Sequence, residues 1–228
     1  MSLIGLAFLA QGTAQAAVTA KTASVQARHI DAQLHATSFA GPLGWVRFCE
    51  RAPAHCINDK PRRSGPVHLA LTPALERQLR AVQRETNAAI TPVNEPQGWD
   101  AWLIAPALGD CEDFALTKRA ALIALGVPSQ ALRLATVLTE AHEHHVVLLV
   151  ETDAGTLALD NRHDDVVAYQ ELPYRWLSVQ DPTDPRRWQL SQWVTEVDVA
   201  WLRAVLSSAA GLAVEPDTAP DAPGFGRN

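Results

Sequence analysis

Apolar and polar positions alternate in two registers along the chain, helical in its first half and period two in its second. From Thr72-Pro73 to position 89, Leu75, Leu79, Val82 and Thr86 recur at helical spacing, with Thr72 as cap and Pro73 at the first helical position. A second helical pattern opens at Gly109-Asp110-Cys111-Glu112-Asp113-Phe114-Ala115 and runs to Leu125, where Gly126-Val127-Pro128 stops it. Phe114, Ala115, Lys118, Leu122 and Leu125 share its apolar face, the lysine stem lying along the edge. Ala120, Ala121 and Ala124 allow close approach, which predicts burial of this helix against a sheet. Beyond Pro128 the spacing changes to that of strands, at 132–138, 145–151 and 156–160. Asp153-Ala154-Gly155 joins the last two as a hairpin.

Shorter strands are expected at 166–169 and 176–179, and a terminal strand or helix within 189–206. The remaining segments carry weaker patterns. Positions 17–40 read as a loose lead-in, 45–56 as a covering loop with aromatic anchors, and 87–106 as a long ordered loop held by Trp99 and Trp102. Pro, Asp and Gly dominate from Gly211, so 207–228 is expected to be a disordered tail. The domain is therefore placed at 41–206.

Composition changes this picture little. The chain has 228 residues, 47% hydrophobic and 19% charged, with a formal charge of -6, enough for one domain with a sizeable core. Its 19 Lys and Arg are outnumbered by 25 Asp and Glu and form no basic stripe, which argues against a nucleic-acid partner. Positions 3–10 are apolar and Ala14-Gln15-Ala16 has the small-x-small form of a signal-peptidase site, so 1–16 is read as a signal peptide, although no Lys or Arg precedes the apolar run. That run is too short to span a bilayer. The expected product is periplasmic or secreted and not an integral membrane protein.

Candidate chemistry centres on Cys111. Asp110 is placed as N-cap and Asp113 three residues later can reach back to it, so Cys111 falls at the first helical position, where the macrodipole favours a thiolate. Asp110, Glu112 and Asp113 oppose this by like-charge repulsion, and the stretch calls for a nearby cation, an imidazolium or a metal ion. Cys49 and Cys56 can close a short disulfide in an oxidising compartment. Two free thiols, or a pairing that consumes Cys111, are the other readings of three cysteines. The hairpin brings His145 and Asp160 to the same open end, about two residue steps apart diagonally. Cys111, His145 and Asp160 then supply a nucleophile, a base and an orienter. His142-Glu143-His144-His145 also has a plainer reading, as a solvated loop or metal site.

The stretch 109–115 followed by Lys118, Leu122, Leu125-Gly126-Val127-Pro128 and Leu132-Arg133 resembles the bacterial transglutaminase-like cysteine proteinases. His145-Val146-Val147-Leu148 and Leu159-Asp160-Asn161 do so too, as do Trp45-Val46-Arg47-Phe48-Cys49 with Cys56, and Asp100-Ala101-Trp102. Tyr174-Arg175-Trp176 extends the match downstream. The resemblance implies an α+β, papain-like or transglutaminase-like fold with the nucleophile helix on an antiparallel sheet. It also implies the triad Cys111, His145 and Asp160. LapG-like periplasmic proteases of this family clip large surface adhesins and need calcium. The resemblance thus implies Asp110 and Glu112 as calcium ligands, a protein or peptide substrate such as a surface adhesin, and a membrane-bound regulator. Trp102 is expected to offer its indole N–H to the oxyanion. The function expected is an exported thiol peptidase acting through a thioester. The alternatives are a transamidase or deamidase with the same triad, and a non-catalytic calcium-dependent binding module.

Overall fold

The computed structural model describes residues 28–57, 67–95 and 100–194. A 3-10 turn, Ile30–Gln33, leads into β1 (Leu34–Phe39), followed by α1 (Leu43–Arg51), a second 3-10 turn (Pro53–Cys56) and α2 (Pro73–Ala89). Two short strands, β2 (Thr91–Pro92) and β3 (Leu108–Gly109), pair in parallel just before α3 (Cys111–Ala124). The remaining strands are β4 (Leu132–Leu138), β5 (His144–Thr152), β6 (Gly155–Leu159), β7 (Val167–Ala168), β8 (Arg175–Gln180) and β9 (Trp188–Ser191). They form an antiparallel sheet with β1 in the order β1-β9-β8-β4-β5-β6-β7.

Helix α3 packs on β5 and against α2, which fixes the amino end of α3 over the centre of the sheet. Both sheet faces are buried, and β5 shows how. Val146, Leu148 and Val150 join the helix-side core with Leu116 and Leu122, whereas Val147 and Leu149 join a second core on the opposite face with Ile30 and Trp176. A strand buried on both faces carries an unbroken apolar run, which is what positions 146–150 show. Thr72 caps α2 as expected, its hydroxyl accepting from the Leu75 N–H at 3.2 Å. Helix α3 ends where Gly126 takes a φ of 88°, left-handed backbone that glycine adopts without steric cost.

Several expectations need correction. Positions 34–39, assigned to the loose lead-in, form the edge strand β1 against β9. The expected covering loop 45–56 is mostly helix, because Trp45 and Phe48, three residues apart, both reach the core. Leu125, placed on the buried face of α3, is 59% exposed. Lys118 is not at the edge of that face but fully buried. The loop 87–106 opens with the end of α2 and contains β2. The expected signal peptide, the tail and Trp99 lie outside the described residues.

Candidate active site

The amino end of α3 is built by its acidic residues, and they have separate tasks. Asp110 takes the N-cap position in extended backbone. Asp113 folds back, its Oδ2 accepting from the Asp110 N–H at 3.3 Å and its Oδ1 from the Leu103 N–H at 2.6 Å. This carboxylate fastens the preceding loop to the helix start. Burial pushes Asp113 up to about 6, against those two backbone hydrogen bonds. A side chain on Gly109 would collide with Asp113, so that close return needs glycine.

Cys111 is a half-buried free thiol whose Sγ donates to Glu112 Oε2 at 3.1 Å. Burial pushes its pKa well up, the charge and hydrogen bond of Glu112 push the same way, and a backbone hydrogen bond with Val146 opposes them. Burial likewise lifts Glu112 to about 8, with the charge of Asp110 adding to it. The acidic flank thus opposes the thiolate, as the sequence predicts, in addition to the larger effect of burial.

His145, near the start of β5, places Nε2 2.7 Å from Asp160 Oδ1. The hairpin register explains this. Leu148 pairs with Leu159, so Asp160 follows opposite Val147, two residues from His145. Asp160 also accepts from the Arg162 N–H at 3.0 Å and from the Tyr174 hydroxyl at 2.6 Å. Burial raises the Asp160 carboxyl, but the hydrogen bond and charge of His145, with the Arg162 and Tyr174 donors, outweigh it and hold the group below its ordinary value. With Nε2 committed to Asp160, Nδ1 is the nitrogen left for another partner.

Cys111 and His145 line one cavity of about 320 Å³, with Glu112 beside them and walls that include Phe39, Trp102 and Leu177. The indole N–H of Trp102, expected at the oxyanion, donates to Asp100 Oδ1 at 2.7 Å, and the buried ring forms a wall of the cavity. The expected disulfide is present. Cys49 and Cys56 are bonded with Cα atoms 5.6 Å apart, so neither alternative pairing consumes Cys111.

Among the described residues, two groups bring three potential metal-ligand atoms within 4.8 Å of one another: Glu95 with Asp110 and Glu112, and His29 with His68 and Glu151. The tract 142–145 contributes to neither. In the second group Glu151 is already engaged by Arg133 and Thr156, and the two imidazoles stack at an interplanar angle of 15°, so their in-plane lone pairs do not converge. Reasoning from sequence missed Glu95, which stands alone in a proline-rich stretch, and the tie from Tyr174 to Asp160, whose signal was the Tyr-Arg-Trp motif. It also missed Gln83, a polar residue on the buried face of α2 that donates at 2.6 Å to the Asp160 carbonyl.

A cysteine at the start of a helix laid on an antiparallel sheet thus shares a cavity with a histidine held by a buried aspartate, three residue types that can serve as nucleophile, base and orienter. The family model described as bacterial transglutaminase-like cysteine proteinase matches residues 35–193, and the chain belongs to that family of cysteine peptidases. Similar solved structures include the EGTA-treated LapG of Legionella pneumophila, 25% identical over 48% of this chain and 64% of that one, less than two thirds of its length, with a TM-score of 0.43. The calcium-bound form of the same LapG is 22% identical over 60% of this chain and 82% of that one, with a TM-score of 0.46. A comparison with curated proteins gave no match.

Proposed function

We propose that the protein hydrolyses a peptide bond with Cys111 as nucleophile, His145 as general base and acid, and Asp160 as the group that orients the imidazole. The observation that carries this reading is the 2.7 Å His145–Asp160 contact beside the cavity that His145 shares with Cys111. The thiol proton passes to His145 and the sulfur adds to the scissile carbonyl carbon. The Cys111 N–H, at the first helical position and so without an intrahelical acceptor, is a donor for the resulting oxyanion. His145 returns the proton to the leaving amine as the C–N bond breaks, giving a thioester. Water, losing a proton to His145, then adds to the thioester carbonyl. The acid leaves and the thiol is restored.

Calcium fits this site. Glu95, Asp110 and Glu112 offer hard carboxylate oxygens close together, and Asp110 Oδ1 is buried without a hydrogen-bond partner. These three residues would hold the ion. It would supply positive charge next to a thiol that burial, and after it the charge and hydrogen bond of Glu112, keep protonated. The disulfide suits an oxidising compartment, which favours a periplasmic or secreted setting with a protein substrate there; a surface adhesin under the control of a membrane-bound regulator is the particular case proposed. Alkylation with iodoacetamide, mapped by mass spectrometry, tests the nucleophile. Cys111 of the parent should react at least about tenfold faster at neutral pH than Cys111 of His145→Ala, and equal rates would remove the basis for the triad.

A further inference from the structure

Strand β8 departs from regular pairing where it faces β4. Ala135 pairs with Val179 and Thr136 with Ser178, but Val137 pairs with Trp176, so Leu177 is an extra residue on β8, a bulge. Side chains on a regular strand alternate between faces, and Val179 and Trp176 both belong to the core on the face away from α3. Without the bulge Leu177 would share the Val179 face. With it, Leu177 turns to the helix side next to Ser178, and both line the cavity that holds Cys111 and His145. Trp176 keeps its place in the far core, edge-on to Tyr169 with ring centres 5.5 Å apart.

Much of the remaining lining is apolar too. Phe39 comes from the end of β1, Leu43 from the first turn of α1, Trp102 from the segment before α3 and Val146 from β5, and with Leu177 they enclose one space. The polar floor beside Leu177 satisfies itself, because the Thr136 and Ser178 hydroxyls lie 2.6 Å apart and bond to each other. Of the carboxylates at the cavity, Asp100 accepts from the Trp102 indole and Glu112 from the Cys111 thiol. At about 320 Å³ the space is at the small end of the roughly 300–1,000 Å³ typical of ligand sites, a size that suits a side chain or two of an extended chain.

We infer that this cavity is a substrate subsite for a large apolar side chain, that of leucine, methionine or phenylalanine, within two residues of the cleaved bond, and that Leu177 sets its size. The inference rests on the peptidase reading proposed above, since Cys111 and His145 are what place the subsite at a scissile bond. Packing against Phe39, Trp102 and Leu177 removes an apolar side chain from water, which is the driving force for its binding. An acidic side chain would lose its water there and meet the carboxylate of Asp100. A basic one would be desolvated beside a carboxylate that already accepts from an indole. The bulge is what makes Leu177 available, because β8 gives up one ladder position to aim this side chain at the cavity.

The test incubates the full chain, in calcium-containing buffer, with a proteome-derived peptide library and reads the cleavage sites by mass spectrometry, with Cys111→Ala as the blank. At one position within two residues of the cut, the parent should favour leucine, methionine or phenylalanine over aspartate by about tenfold or more. Next, kcat/KM is measured on two peptides that differ only in leucine or phenylalanine at that position. Leu177→Ala, which widens the space, should raise the phenylalanine-to-leucine ratio about threefold or more, and Leu177→Phe, which narrows it, should lower the ratio by about the same factor. A loss of folded protein lowers both rates together and leaves the ratio unmoved, so the ratio separates a wall of the subsite from a leucine that only fills the core. Cleavage without an apolar preference, or a ratio unchanged in both variants, would overturn the inference and leave the peptidase reading standing. No cleavage beyond the Cys111→Ala blank would contradict the peptidase reading. The subsite is then judged by fluorescence anisotropy of labelled leucine-rich and aspartate-rich peptides on the Cys111→Ala protein: about tenfold tighter binding of the first supports it, and equal binding overturns it.

Discussion

The thiol of Cys111 donates to Oε2 of its own chain neighbour, Glu112, across 3.1 Å. That contact stabilises the protonated thiol, the form that does not attack a carbonyl. A dication on Glu95, Asp110 and Glu112 would favour the ionised Glu112 and compete with the thiol for its oxygen. Chelation should therefore slow alkylation of Cys111 about tenfold or more near pH 7, and added calcium should restore it. In Glu112→Gln the rate should be insensitive to chelator. Mass mapping of the labelled cysteine checks both.

Tyr174 donates to Asp160 Oδ2, and Asp160 is almost wholly buried. Tyr174→Phe leaves that oxygen without its donor, at a cost of about 1–3 kcal/mol. Urea unfolding should show the loss. Peptidase turnover should drop as well, because a carboxylate less firmly held orients His145 less well.

Asp113 is predicted to act on stability through two backbone N–H groups, those of Asp110 and Leu103. Asp113→Ala should cost about 1–3 kcal/mol, summing a lost cap with a lost loop tie. Asp113→Asn, which keeps one acceptor oxygen, should fall between. Thermal melting of the three proteins gives the order directly.

Lys118 gives stability a defined pH dependence. Its folded value, about 7, lies below the ordinary 10.5, so between these limits the unfolded chain binds the proton and the folded one does not. The contribution of Lys118 to stability accordingly rises as pH increases from about 7 toward 10.5, and it is least below 7, where the buried ammonium must be carried. Melting temperatures across this window should climb less steeply in Lys118→Met than in the parent. Identical slopes would show that Lys118 does not titrate there.

Much of the site was legible because its geometry follows from local rules. The cap residue and the stop at Gly126 marked α3, and the hairpin read at Asp153-Ala154-Gly155, which the structure closes with Thr152 opposite Gly155, carried Asp160 near His145. What stayed hidden depends on long-range packing. β1 lacks a strong alternating pattern and owes its place to pairing with β9, about 150 residues away in the chain. Trp45 and Phe48 looked like loop anchors because α1 spans few turns, too few for a period to declare itself. Glu95 becomes a neighbour of Asp110 only when the chain between them folds back through the β2–β3 pair. The hydrogen bond from the Trp102 indole to Asp100, two residues earlier, was likewise not read from the sequence. Lys118 was set at the edge of a helix because charge usually seeks solvent, yet the neighbouring aspartate lies inside.

The central claim is hydrolysis by Cys111 with His145, and the most direct measurement maps new amino termini on exported and surface proteins from cells carrying the parent, Cys111→Ala or His145→Ala. The account predicts at least one fragment whose new terminus appears with the parent and with neither variant, at equal levels of the three proteins. Identical termini in all three strains would contradict it.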